Sequence, residues 1–344
     1  MRVALPLALL AAACGGDDGD APGEPMAVAL WSEFMSDDEV RERLPLLADE
    51  GADLYLAVQS TRIGDAALEE LLQGASEAGV GVRAWLLLPE ADGYWPNETN
   101  LEAMREAAMA FADWREAAGL PVEWMVFDME MSLERTRDIA ATMEEEGVLA
   151  GLQRILDGRD PAAFEAHRAE LVALVGDLQA RGLKVMCVTY PTVLDDPTDG
   201  DEDIQDEMDV PIAGVPWDEA SFMVYQSLIY DLSGSWHGPD VIESYAASAR
   251  EQFDDRAAVA LGIVGETGID PVEMPYPDAE TLLADHAAAR AAGISTVSIY
   301  SLDGVALQHD PGEWIDARVE AAQAPAGDAE SLRDLIGSLL DADS

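Results

Sequence analysis

Positive charge is scarce in this chain. Of 344 residues only 19 are Lys or Arg, against 69 Asp or Glu, for a formal net charge of −50. Lys184 is the single lysine. A surface this acidic repels nucleic-acid phosphates and anionic lipid headgroups, so no nucleic-acid partner is expected. The acidity reads as the solubility device of a salt-exposed protein. Cysteine is nearly absent: Cys14 and Cys187 are the two, which excludes a disulfide framework. Cys187 stands in an apolar run and reads as a buried core residue. The four histidines, His167, His237, His286 and His309, never fall at metal-ligand spacing, which argues against a histidine-rich metallohydrolase. There is no Gly-rich phosphate loop after the first strand candidate, no serine nucleophile elbow and no Walker-type loop. Neither a cofactor nor a catalytic metal is expected. Past the N-terminus no apolar run is long enough to span a bilayer.

What is present is a steady alternation. Short apolar or β-branched runs at Met26–Phe34, Ala52–Val58, Val80–Leu88, Val122–Met131, Leu183–Tyr190, Ser221–Ile229, Ala257–Val264 and Ile294–Leu302 read as strands. Amphipathic stretches between them read as helices: Asp37–Glu50, Asp65–Ala78, Leu101–Ala118, Ala162–Arg181, Asp240–Arg256, Asp278–Ala292 and Pro311–Ala322. Gly51, Gly79, Gly119, Gly182 and Gly293 each close a helix just before the next strand. Eight such units without a dinucleotide loop predict an α/β fold, a single (β/α)8 TIM barrel, over residues 26–322. The competing architecture is an open doubly wound sheet. Two long connections, Ser132–Pro161 and Pro191–Ala220, follow the fourth and fifth strands, on the face where barrel active sites lie. Residues 323–344 form a tail with a predicted helix at Asp328–Leu340.

The N-terminus carries its own signal. Met1-Arg2 precedes an apolar run, Val3–Ala13, which ends Leu10-Ala11-Ala12-Ala13-Cys14 before Gly15-Gly16-Asp17-Asp18. This resembles a bacterial lipoprotein signal. The resemblance implies a signal peptide over 1–13, lipidation of Cys14, a Gly/Asp/Pro-rich tether over 14–25 and a protein anchored in the cell envelope, facing the periplasm or exterior.

The chemistry concentrates at the end of the fourth strand, Trp124-Met125-Val126-Phe127-Asp128-Met129-Glu130-Met131. Alternate residues of a strand share a face, so Asp128 and Glu130 sit on one side, about 6–7 Å apart along the strand. Phe127, Met129 and Met131 face the helices. Two carboxyls held together in the barrel mouth repel each other, and one is expected to keep its proton at neutral pH. A proton-holding Glu130 beside an ionised Asp128 is suited to glycosidic bond cleavage.

This Asp-x-Glu resembles the tail of the family 18 chitinase signature, and Met223-Val224-Tyr225 is similar to that family's Met-x-Tyr-Asp. The resemblance implies Glu130 as general acid, Asp128 as the group that orients the substrate's acetamido moiety, and Tyr225 in contact with the intermediate. The chain departs from the family where Val126 and Glu123 replace upstream Asp residues and Gln226 replaces the Asp after the Tyr; the Ser-x-Gly-Gly of the third strand and the Trp ending the eighth are missing too.

Further carboxylates stand at strand ends: Glu33 after the first, Glu266 after the seventh, Asp303 after the eighth. Each is a candidate nucleophile or base opposite Glu130, and the sequence leaves the choice open. Trp31, Tyr94, Trp95, Gln226 and Tyr300 complete the candidate substrate-binding set, aromatic faces being suited to sugar rings. Tyr190 belongs to the same group of strand-end aromatics, whereas Trp85 and Trp217 read as packing residues. The acidic loop 195–209 misses a calcium-binding pattern, with Ile204 where Gly is needed and Val210 where Glu is needed. Two functions follow: a surface-anchored glycoside hydrolase acting on a polysaccharide or oligosaccharide, or a catalytically inactive barrel that binds a glycan or a protein.

Overall fold

Eight parallel strands pair in chain order and the eighth returns to the first, closing a barrel. The strands are β1 (Ala27–Ser32), β2 (Asp53–Gln59), β3 (Val82–Leu87), β4 (Trp124–Met129), β5 (Lys184–Thr189), β6 (Glu219–Met223), β7 (Ala257–Gly262) and β8 (Thr296–Tyr300). Closure runs from Ala27 opposite Thr296 to Trp31 opposite Tyr300. This computed structural model describes residues 27–195, 203–265, 272, 274–316 and 318–333. The fold is a single (β/α)8 barrel, and the closing ladder rules out the open sheet.

The helices are α1 (Asp37–Glu50), α2 (Ala66–Glu77), α3 (Leu101–Ala118), α4 (Leu133–Glu146), α5 (Val148–Leu156), α6 (Pro161–Ala180), α7 (Asp203–Met208), α8 (Gln226–Ser233), α9 (Pro239–Phe253), α10 (Ala279–Ala291) and α11 (Leu302–Val305). Local chemistry sets their ends. Ser36 and Glu39 form a reciprocal capping box at the start of α1, satisfying two backbone N–H groups that have no intrahelical partner. Gly51 ends that helix at φ 68°, and Gly119 ends α3 at φ 63°, a left-handed turn that a Cβ would strain. The long connection after β4 holds α4 and α5 before α6 completes the unit.

The strands separate two packed regions by parity. Met125, Phe127 and Met129 face outward into the layer under the helices, with Cys187 buried among them. Val126 faces inward with Trp31, Tyr55 and Trp85. These three rings meet edge to face, with centroids 4.7 Å apart for Trp31–Tyr55 and 5.1 Å for Trp31–Trp85. At the N-terminal end of the barrel Arg83 pairs with Glu219 at 2.5 Å. Its guanidinium lies 4.1 Å from the Trp124 ring centroid and 4.8 Å from that of Tyr55.

Two predicted elements are corrected. The sixth strand ends at Met223, and Gln226–Ser233 is helix rather than its continuation. An unbroken apolar run lacks the period that distinguishes the two states, and the backbone turns after Tyr225. The predicted helix 311–322 reduces to one 3-10 turn, Pro311–Trp314. Beyond it, backbone groups bond to α10 instead of to each other: Arg290 donates to the Val319 carbonyl and the Ala322 N–H to the Ala287 carbonyl. In the tail, residues 329–333 are helical, and the remainder of the predicted 328–340 helix lies outside the described residues.

Candidate active site

The C-terminal ends of β1, β4, β5, β6 and β8 bring one set of side chains together. Asp128 continues the inward face of Trp124 and Val126 and is buried, 6% exposed. Glu130 and Glu33 lie beyond the ends of their strands and are half-buried. Tyr225 and Tyr300 are stacked, with centroids 5.9 Å apart at 29°.

The mouth is a concentration of like charge. Burial raises the Asp128 carboxyl well above its ordinary range, and the neighbouring Glu130 and Glu33 push it further. Burial also raises Glu130, while the Tyr190 hydroxyl and Asp128 hold it down. Glu33 is pushed up to about 7, by burial above all; the hydroxyls of Tyr300 and Tyr94 oppose the shift, and the charges of Asp303 and Glu130 add to it. Among the described residues no cation contributes to the shift of any of these three carboxyls. Asp128 and Glu130 are in contact, and burial raises both carboxyls, so the pair holds a proton more tightly than two solvated carboxylates would. Asp128 Oδ1 is buried with no hydrogen-bond partner among the described residues.

Glu33 is held from both sides. The Tyr94 hydroxyl donates to Oε1 at 2.6 Å, and the Tyr300 hydroxyl donates to Oε2. Its backbone N–H donates to Asp303 Oδ2 at 3.2 Å, and the next N–H, of Phe34, donates to Asp303 Oδ1 at 2.8 Å. Asp303, in α11, therefore organises the turn after β1.

Several predicted substrate contacts require correction. Trp31 is 2% exposed inside the barrel, and its Nε1 donates to Ser298 Oγ at 2.9 Å, so it is packing. Trp95 is an anchor rather than a platform: it is 7% exposed and donates to the Met131 carbonyl at 2.8 Å. The side chains of Asn97 and Asn100 both donate to the Trp95 carbonyl, so this loop is built around its own polar groups. Gln226 is fully buried at the start of α8, donates to the Gly238 carbonyl and lies beside Asp285, beneath the helical layer. Asp303 serves backbone N–H groups rather than the cleft. Glu266 and Cys14 lie outside the described residues.

Tyr190 is the residue whose chemistry the sequence reading missed, since it counts there only as an aromatic. The signal lies in strand pairing rather than in any local pattern. In the β4–β5 ladder Asp128 lies opposite Val188, so continuing the register sets Glu130 opposite Tyr190. A separate open groove of about 800 Å³ runs beside the mouth, between the loop after β3 and the start of α4, lined by Glu90, Asp92, Asn100, Glu102, Glu134 and Arg137. It contains none of the three mouth carboxyls. Among the described residues no group of three His, Cys, Asp or Glu could hold a metal ion, and no helix is long and apolar enough to cross a membrane.

No family model matches this chain, and no curated protein matches it. Solved structures do resemble it. A class V chitinase from Pseudomonas fluorescens Pf-5 is similar over 84% of this chain and 97% of its own, at 11% identity and a TM-score of 0.51. A fungal β-1,4-galactanase is similar over 81% of this chain and 90% of its own, at 12% identity and a TM-score of 0.50. A D-allulose 3-epimerase from Methylomonas sp. aligns over 87% of this chain and 97% of its own, at 14% identity and a TM-score of 0.46. At these identities the chitinase and the galactanase share the barrel with this chain.

Proposed function

We propose that this protein is a glycoside hydrolase acting on a polysaccharide or oligosaccharide. Glu130 is the general acid that protonates the leaving glycosidic oxygen. Asp128 is the buried partner that stores and returns its proton, and Tyr225 lies beside the reacting sugar. One observation carries this reading: three carboxyls, Glu33, Asp128 and Glu130, crowd the barrel mouth with no cation among the described residues to offset them. Such crowding opposes folding, and it separates proton affinities in the way that acid–base cleavage of an acetal requires. The mouth is the end of the barrel where catalytic groups are found. The names of the chitinase and the galactanase agree with the substrate class, although what they share with this chain is the fold.

Assay of the parent and of Glu130→Gln against a panel of polysaccharides tests the proposal. Hydrolysis by the parent and its loss in the variant support it. Equal hydrolysis by both removes Glu130 from the mechanism, and glycan binding without hydrolysis by either points to an inactive binding barrel. The lipid anchor on Cys14 belongs to the same proposal. Cys14→Ser is expected to release the protein from the membrane fraction, and unchanged membrane retention would refute the anchor.

A further inference from the structure

The sequence leaves three carboxylates open as the group opposite Glu130. Asp303 engages the backbone N–H groups of Glu33 and Phe34, and Glu266 lies outside the described residues. Glu33 has the attributes of a working group. It stands beyond the end of β1, two residues past Trp31, which pairs with Tyr300 across the closing ladder. The residue is half-buried, and its carboxylate is fixed by two tyrosine hydroxyls. The titratable groups facing it are Tyr94 from the loop after β3, Asp128 and Glu130 from the end of β4, Tyr225 after β6, Tyr300 on β8 and Asp303 on α11. None of these is a cation.

We infer that Glu33 is the general base of the site, with Tyr94 and Tyr300 as the clamp that aims it and Asp303 as a positioning residue. This rests on the hydrolase reading above. Both carboxylate oxygens accept a tyrosine hydroxyl, which fixes the orientation of the carboxylate. A carboxylate has about four lone-pair sites, so each oxygen can still accept a proton from water. The water oxygen bonds to the anomeric carbon as its proton passes to Glu33. The glycosidic carbon–oxygen bond breaks, and the leaving oxygen takes the proton of Glu130. Glu33 then returns its proton to solvent and the Asp128–Glu130 pair regains one. The anomeric centre is inverted in this single displacement. A base whose affinity lies near 7 also suits work at neutral pH.

The test uses the intact protein and a glycan the parent hydrolyses. Proton NMR of the first-formed product is expected to show the inverted anomer; a retained anomer overturns the base assignment. Glu33→Gln is expected to lower kcat by about 10²–10⁴-fold, the span of a general base, with a melting temperature no lower than the parent's. Full activity in this variant overturns the inference and leaves the role of Glu130 standing, whereas a parent without hydrolysis takes down both. Tyr300→Phe gives a check that does not need a neutral residue 33. The hydroxyl it removes lowers the proton affinity of Glu33, so the acidic limb of the kcat/KM profile is expected to move to higher pH. An unmoved limb makes Tyr300 merely structural and overturns the clamp.

Discussion

The two ends of this barrel treat buried charge in opposite ways. At the N-terminal end Arg83 meets Glu219 at 2.5 Å, and the pair is enclosed by Trp124 and Tyr55. At the C-terminal end Glu33, Asp128 and Glu130 face one another with tyrosine hydroxyls for company and no cation among the described residues. The same strands supply both ends, since β4 carries Trp124 at one and Asp128 at the other. The lower end is arranged for stability, and the upper end is held in a repulsive arrangement that the rest of the fold sustains. Stability sacrificed at one place in a fold marks where function resides.

Neutralising a charge should therefore have opposite consequences at the two ends. The largest effect is expected from Asp128→Asn, which should lower kcat by at least about 10²-fold. The same change should raise stability at pH 8 by about 1 kcal/mol, as relief of a functional strain does. Thermal unfolding beside a hydrolysis assay checks both, and a destabilised Asp128→Asn would break the comparison. Arg83→Met should do the reverse. Leaving Glu219 buried without its partner costs about 3–5 kcal/mol, read as a lower denaturant midpoint, with hydrolysis by the folded fraction unchanged.

The pH dependence of stability gives a finer test. Glu33 binds its proton more tightly folded than unfolded, so its contribution is fully present below about 4.5 and is lost as pH rises to about 7. Denaturant titrations across that window should show stability falling with pH, with a shallower fall in Glu33→Gln. Equal slopes would place the repulsion elsewhere. The smallest effect belongs to Trp95→Phe. Losing the bond to the Met131 carbonyl should cost about 1 kcal/mol and leave KM unchanged, as suits an anchor. A raised KM would restore Trp95 as a sugar platform.

Much of the barrel was legible because two periods were clean. The alternation in β4 assigned Asp128 inward and Phe127 outward, and the sequence boundaries of α1 and α3 agree with the structure to the residue. The failures cluster where a strand ends. Gln226 lies three residues past β6, where the chain turns into α8 and two-residue alternation no longer applies. Trp31 has the right parity for the mouth, but parity does not say how deep in the barrel a ring lies, and its indole turns toward Ser298. Asp303 and Glu33 were separate candidates in the sequence. Their connection runs through the ladder that joins β8 to β1, which no local pattern records. Tyr190 could be placed beside Glu130 only once the β4–β5 register was known.

The most direct test of the crowded mouth is a carboxyl carbon-13 NMR titration of the folded protein, with Glu33 assigned by comparison with Glu33→Gln. The Glu33 resonance should titrate near 7. A midpoint at the ordinary glutamate value, near 4.5, would show a solvated carboxylate and contradict the account of a desolvated acidic site.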